Sequence, residues 1–212
     1  MAFNISSFKS SFIDGGARPT LFDITLQFPT TLGDDANEVS GTDASRKLTF
    51  TCRAASIPES RMASINVPYF GRSIKVEGNR DYPDWRVIVM NDEDFTVRQA
   101  LEAWHGNINS VIPNRMNPNL WVDGSYKQTA LIKQYRKAGA DGGVTGNSGE
   151  DVIRTYTMEG IFPVNIGDIR LGWQQVNEIE EYQVDFAYDW WIPTIGEADT
   201  TTSSGITIGA VA

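Results

Sequence analysis

The sequence predicts a mainly β fold, in which two packed antiparallel sheets form a sandwich or barrel with one flanking α-helix. Hydrophobic and polar residues alternate with a period of two over several segments, which is the pattern of half-buried antiparallel strands. A single segment repeats its hydrophobic residues at helical spacing instead. With 212 residues and 41% hydrophobic content, the chain is large enough to bury a core of this kind.

The alternation predicts both the strands and their inward faces. The first two strands place alternate residues inward from Phe22 to Phe28 and from Leu48 to Ala54. A third strand, at Trp85–Met90, places Trp85, Val87 and Val89 on one face, although Ile88 and Met90 make it apolar on both faces. The clearest alternation has the inward residues Tyr182, Val184, Phe186, Tyr188 and Trp190, opposite Glu181, Gln183, Asp185 and Asp189. That last strand therefore has one apolar and one acidic face.

The helix is predicted from Val97, Leu101, Trp104 and Ile108, which recur at helical spacing. Thr96 and Gln99 have the separation of a capping box. Gly106 fits a C-terminal stop.

The domain organisation is predicted as one domain over residues 1–193. Loop insertions are expected near residues 29–46 and 139–150, where Gly, Asp, Asn, Ser and Thr are concentrated. Residues 194–212 form a Thr, Ser and Gly-rich tail, which we expect to be flexible.

The side chains that catalysis and metal binding need are scarce. The chain has one histidine, His105, and one cysteine, Cys52. Any Ser-His-Asp or Cys-His arrangement would have to use His105, whose place at the end of the predicted helix is an ordinary one for histidine. One His and one distant Cys cannot form a typical zinc centre. Asp92, Glu93 and Asp94 lack the spacing of a calcium loop. The Gly-rich segment 139–149 lacks the Gly-Lys-Ser/Thr ending of a phosphate-binding loop. We therefore expect no catalytic, cofactor or metal site.

Charge and hydropathy further limit the function classes. The net charge of −9 and the pI of about 4.6 argue against DNA as a tightly held ligand, because DNA-binding proteins usually carry a basic face. No segment approaches the roughly 20 apolar residues that span a bilayer. The N-terminal residues lack the features of a signal peptide. We expect a soluble protein without membrane insertion.

Motifs in a fixed order carry a resemblance to a known family. They are Ala17–Phe22, Thr51–Pro58, Pro68–Val76, Trp85–Glu93, Gly160–Gly167, Leu171–Trp173, Asn177–Ile179 and Asp189–Trp191. Together they resemble the tail tube proteins of T-even-type contractile-tailed bacteriophages over most of residues 16–191. The segments predicted as insertions and tail depart from the family pattern, so the resemblance assigns them no role.

The resemblance implies a structural subunit that stacks as hexameric rings into a hollow tube inside a contractile sheath. The implied partners are further copies of the chain, the sheath protein, and baseplate and tail-terminator proteins, with DNA passing transiently through the tube. The implied location is the virion tail, after assembly in the host cytoplasm. An inner tube protein of a type VI secretion or extracellular contractile injection system is the alternative within the same class. A carbohydrate-binding β-sandwich is the alternative from another class, because exposed Trp and Tyr side chains can stack on sugars.

Two surfaces are predicted to serve such an assembly. The segment 58–80 combines strand-interrupting Pro and Gly with the apolar residues Ile65, Val67, Tyr69 and Phe70. We expect these four to stack one ring on the next, unless the segment folds over its own core. The polar residues Glu181, Gln183, Asp185 and Asp189 are the predicted lining of the tube lumen, unless that face points outward or to a neighbour.

Overall fold

A computed structural model of the chain describes residues 4–11, 16–29, 31–32, 39–116, 124–137 and 152–195. The predicted insertion at 139–150 and the tail beyond residue 195 lie outside the described residues. The chain divides into two compact units. The smaller comprises Met1–Phe22, Lys133–Thr155 and Pro193–Ala212, and the larger comprises Asp23–Ile132 and Tyr156–Ile192.

Strands outnumber helices in the described residues. The helices are α1 (Ile5–Ser11), α2 (Gly41–Thr51) and α3 (Thr96–Ile108). The strands are β1 (Phe22–Leu26), β2 (Thr31–Leu32), β3 (Val39–Ser40), β4 (Cys52–Ala55), β5 (Arg61–Tyr69), β6 (Arg72–Asp81), β7 (Trp85–Met90), β8 (Asn109–Ser110), β9 (Arg115–Met116), β10 (Gln128–Tyr135), β11 (Val152–Ile166), β12 (Glu181–Ala187) and β13 (Trp190–Ile195). The predicted mainly β class is confirmed.

The described strands form one large sheet and three hairpins. The large sheet has the order β1-β10-β11-β12-β7-β4, and β13 pairs with β11. Antiparallel pairing joins β11 to β12, β12 to β7, and β7 to β4. The hairpins pair β2 with β3, β5 with β6, and β8 with β9.

The core of the larger unit lies under β12 and β7, whose alternation matches the prediction. Tyr182, Val184 and Phe186 are buried on β12, and Trp85, Val87 and Val89 are buried on β7. The register places Tyr182 opposite Val89 and Phe186 opposite Trp85, so the two inward rows form one continuous apolar surface. The rings of Trp85 and Phe186 are 5.8 Å apart.

The predicted helix is α3, and its apolar face is buried as expected. Val97, Leu101 and Trp104 are all buried, and the Trp104 ring packs 5.5 Å from that of Phe28. The Trp104 Nε1–H donates to the Tyr126 carbonyl at 2.9 Å, which satisfies the one polar group of this buried indole.

Both predicted ends of α3 are wrong. The residue before the helix, Phe95, has a left-handed φ of 52°, and no side chain caps the helix. Thr96 accepts a hydrogen bond from Lys47 Nζ at 3.1 Å instead of capping. The helix also continues past Gly106 to Ile108, because Gly106 does not adopt the left-handed conformation that ends a helix.

Helix α2 replaces part of a predicted loop and part of a predicted strand. Gly41–Thr51 is helical, although residues up to 46 were expected in a loop and Leu48 and Phe50 in a strand. The Ser40 hydroxyl accepts from the Asp43 N–H at 3.3 Å and so starts the helix. Ala44 and Leu48 are buried, whereas Phe50 is 78% exposed. Only Cys52–Ala55 remains extended.

We expect Trp104→Ala to lower the free energy of unfolding of the unassembled subunit by about 3–5 kcal/mol, as other large aromatic core truncations do. Trp104 is 1% exposed and closes the core beneath α3. Chemical denaturation of dilute protein measures the change. Trp173→Ala removes the same side chain from a position that is 103% exposed, so it should change the unfolding free energy by less than about 0.5 kcal/mol. Equal losses in the two variants would contradict the assignment of Trp104 to the core.

Candidate assembly surfaces

The β5–β6 hairpin of the larger unit is exposed along almost its whole length. Its strands pair from Arg61↔Asp81 to Tyr69↔Arg72, and every residue except Gly78 is exposed. The prediction that Pro68 interrupts strand structure is wrong. Pro68 pairs with Ser73, which is possible because a strand with an open edge tolerates a residue without an N–H.

The turn of this hairpin holds its two aromatic residues at the tip. Phe70 and Gly71 both have positive φ values, 45° and 75°, as the tight turns that match the twist of paired strands require. The rings of Tyr69 and Phe70 meet edge to face at 4.6 Å. Phe70 is 91% exposed. The pair therefore forms an aromatic knob exposed to solvent.

The four residues predicted for ring stacking all lie exposed on this hairpin, so it does not fold over a core of its own. Ile74 and Val76 of β6 are also exposed, directly opposite Val67 and Ile65. Sequence reasoning missed these two residues, although they alternate with Lys75 as strand residues do. The register brings all six apolar side chains onto one hairpin.

The polar face of β12 carries ion pairs. Asp185 Oδ1 accepts from Arg86 Nε at 2.8 Å, and Asn165 Nδ2 and Gln183 Nε2 donate to the same carboxylate. Partial burial opposes ionisation of Asp185, but these hydrogen bonds outweigh it and hold the pKa of Asp185 below its ordinary value. Glu181 pairs with Arg53 in the same way. The face predicted to be acidic is thus mixed in charge.

The arginines of these pairs are more exposed than the carboxylates. The side chains of Arg86 and Arg53 are 64% and 59% exposed, against 14% for Asp185 and 31% for Glu181. Arg86 lies directly opposite Asp185 on the neighbouring strand. Sequence reasoning missed both arginines, because the register that creates the pairs is not visible in the sequence.

Asp189 does not lie on the polar face of β12. Strand β12 ends at Ala187, and the Asp189 carboxylate binds Lys127 Nζ at 2.7 Å. Gly160, with a φ of 70°, lies against this carboxylate and leaves no space for a Cβ. The expectation that Trp190 points inward is also wrong, because Trp190 starts β13 and is 41% exposed. The bend between the strands breaks the alternation.

A second apolar surface lies between β11 and β12, on residues 167–180. Leu171, Trp173, Val176 and Ile179 are at least 67% exposed here. Leu171 and Ile179 line a shallow groove beside the polar face of β12, together with Arg53 and Ile88. The sequence drew attention to this segment by resemblance alone, since its apolar residues follow neither a helical nor a strand period.

Groups suited to chemistry are sparse in the described residues. Burial raises the pKa of the Cys52 thiol to about 12, so that thiol stays protonated at neutral pH. The described residues contain no cluster of three or more His, Cys, Asp or Glu placed to hold a metal ion. Within the same ranges, no helix has the length and hydrophobicity needed to cross a membrane.

Residues 17–194 match the family described as "Phage tail tube protein". This chain belongs to that family. The matched region includes the β5–β6 hairpin, α3 and β12, so the tail tube assignment covers the surfaces described above.

Curated relatives of this tail tube protein come from several phages. The chain is 28% identical to the tail tube protein gp19 of Enterobacteria phage T4 over 179 residues, which cover 82% of this chain and 90% of the relative. It is 19% identical to the tail tube protein of Serratia phage KSP90 over 186 residues, covering 87% of this chain and 93% of the relative.

Solved structures with a similar fold come from contractile injection systems. One is a cryo-EM structure of the PVC sheath/tube terminator of an extracellular contractile injection system, with a TM-score of 0.50, 14% identity, and 82% of this chain and 93% of that chain covered. Another is the cap of the anti-feeding prophage, with a TM-score of 0.50, 16% identity, and coverage of 84% and 91%. These two structures support the mainly β fold.

Proposed function

We propose that the chain is the structural subunit of a contractile phage tail tube, in which hexameric rings stack through the β5–β6 hairpin. The hairpin carries this proposal, because its nine- and ten-residue strands are exposed at every residue except Gly78. An isolated two-stranded hairpin is marginally stable in water. Exposed apolar patches of this kind on soluble proteins commonly mark contact surfaces. A neighbouring subunit would bury the apolar surface of this hairpin.

The edges of the hairpin support assembly as well. Unpaired strand edges present a row of N–H and C=O groups that readily pair with another chain. The described strands pair β5 only with β6, so each has one open edge. Closing a ring of subunits would remove such edges, and stacking would bury the Tyr69–Phe70 knob.

We further propose that the polar face of β12 lines the bore. Glu181, Gln183 and Asp185 project opposite the buried residues of this strand. The carboxylates of Glu181 and Asp185 hold Arg53 and Arg86, so these arginines are already paired on the face that passing DNA would meet. A bore without unpaired cations would let DNA slide, because each cation that neutralises a phosphate adds affinity through counterion release.

The proposed partners follow from the resemblance and from the structures that share this fold. Those structures are a sheath/tube terminator, the anti-feeding prophage baseplate and a tube cap. We infer that this chain likewise meets sheath, baseplate and terminator proteins and is assembled in the host cytoplasm. Phage relatives over 82% of the chain favour the phage tail over a type VI system, and the family favours a tube over a carbohydrate-binding module.

We expect concentrated purified protein to form rings or tubes in negative-stain electron microscopy. If growth needs an initiator, addition of baseplate components should produce tubes. A carbohydrate-binding module would instead stay monomeric and bind a sugar. A strictly monomeric protein, both alone and with baseplate components, would contradict the proposed assembly.

A further inference from the structure

We propose that the tip of the β5–β6 hairpin docks onto the segment Gly167–Glu180 of a second copy, making a head-to-tail contact. The hairpin tip is defined as Ile65–Val76, and the acceptor segment as Gly167–Glu180. This inference rests on the proposed tube function and names the surface that receives the hairpin.

The hairpin tip combines apolar exposure with positive charge. It contains Arg72 and Lys75 and no acidic residue, for a net charge of +2. Six large apolar side chains of the tip are between 42% and 91% exposed. Its partner therefore has to offer both an apolar surface and negative charge.

The acceptor segment has the complementary properties. It contains Asp168, Glu178 and Glu180 with one cation, Arg170, for a net charge of −2. Its four exposed apolar residues range from 67% to 103% exposure. Glu180 accepts a hydrogen bond from Asn91 Nδ2 at 2.8 Å, and this neutral donor does not offset the charge of the carboxylate. Opposite charges around two apolar surfaces favour this pairing and fix its register.

Charge also argues against the β8–β9 hairpin as the surface that receives the hairpin tip. The turn between β8 and β9 exposes Val111 at 87% and Ile112 at 97%, but Arg115 is the only charge in residues 109–116. It would repel the cationic tip. The tip and the acceptor segment are different surfaces of one chain, so their contact is heterologous and builds rings or continuing stacks, as a tube requires.

The test is a pair of charge reversals at exposed positions. Arg72→Glu with Lys75→Glu reverses the tip, and Asp168→Lys with Glu178→Lys reverses the acceptor segment. We expect each pair to raise the critical concentration for tube growth at least tenfold, measured by sedimentation. The four substitutions combined should restore growth to within about threefold of the unmodified protein. Matched controls at other exposed sites, Arg46→Glu with Arg115→Glu and Asp84→Lys with Glu93→Lys, should have little effect.

Mixing gives a second, independent readout. A head-to-tail contact predicts that the tip-reversed and segment-reversed proteins, each defective alone, grow tubes together, because each tip then meets an opposite charge. Circular dichroism and thermal unfolding establish that every variant is folded. If the reversals leave growth unchanged, or if both the combined variant and the mixture stay defective, the pairing is overturned. The tube proposal would survive that result as long as the unmodified protein forms tubes.

Discussion

The double substitution Tyr69→Ala with Phe70→Ala is expected to abolish tube growth while the subunit stays folded. The two rings are 62% and 91% exposed, so they contribute little to the core of the subunit. Buried in an interface, each would contribute about 1.5–3 kcal/mol. Losing both raises the critical concentration roughly 100-fold or more. Alanine at position 70 keeps a Cβ, so the positive φ there costs a similar amount in both proteins.

Sedimentation and electron microscopy measure growth, and thermal unfolding checks the fold. The matched control is Val111→Ala with Ile112→Ala, which removes apolar side chains that are 87% and 97% exposed on the β8–β9 hairpin and should leave growth unchanged. A second control, Tyr69→Phe with Phe70→Tyr, keeps both rings and should polymerise. Normal growth of the double alanine variant would exclude the knob as the stacking element.

Strands could be predicted from the sequence where the alternation continues over the whole strand, because a period of two places the apolar residues on one face of an extended chain. Strands β12 and β7 are the examples. The buried face of α3 was predicted from helical spacing instead. The order of strands in the sheet could not be predicted, because pairing joins residues far apart in the chain, such as Val87 and Val184.

Helix α2 shows how short apolar runs mislead. Leu48, Phe50 and Cys52 alternate as a strand would, yet Leu48 is buried by a helix and Phe50 faces solvent. The spacing of Ala44 and Leu48, and the capping pair Ser40 and Asp43, indicate the helix. The many small polar residues before them favoured a loop.

The sequence predicted which residues form the candidate surfaces, but not how those residues are arranged in space. Ile65, Val67, Tyr69 and Phe70 were identified because apolar residues stood among Pro and Gly. Their extension on a hairpin that also presents Ile74 and Val76 depends on the strand register. The pairing of Asp185 with Arg86 depends on register in the same way, so acids that looked unpaired in the sequence are partnered in the fold.

The ion pairs of Glu181 with Arg53 and of Asp185 with Arg86 are expected to control how fast DNA passes through the tube. We expect Glu181→Gln with Asp185→Asn to leave tubes intact but to slow or block DNA ejection. The amides keep oxygen acceptors for the arginines, so the fold should tolerate the changes. The arginines, however, lose their compensating charge and gain the ability to bind phosphate. Repeated around every ring, such contacts would hold DNA tightly at low salt and release it as salt rises.

Ejection from phage carrying the variant tube, and DNA binding to purified tubes across a range of salt, are the two measurements. The decisive control adds Arg53→Gln and Arg86→Gln to the same protein, because this removes the unpaired cations and should restore rapid ejection. Asp189→Asn is a further control, since Asp189 compensates Lys127 beyond the end of β12 and lies outside the proposed lining. If the pair Glu181→Gln and Asp185→Asn ejects DNA at the normal rate from well-formed tubes, the polar face of β12 does not line the bore. Slow ejection that the added arginine substitutions relieve would instead identify compensated arginines as the reason that DNA passes without binding.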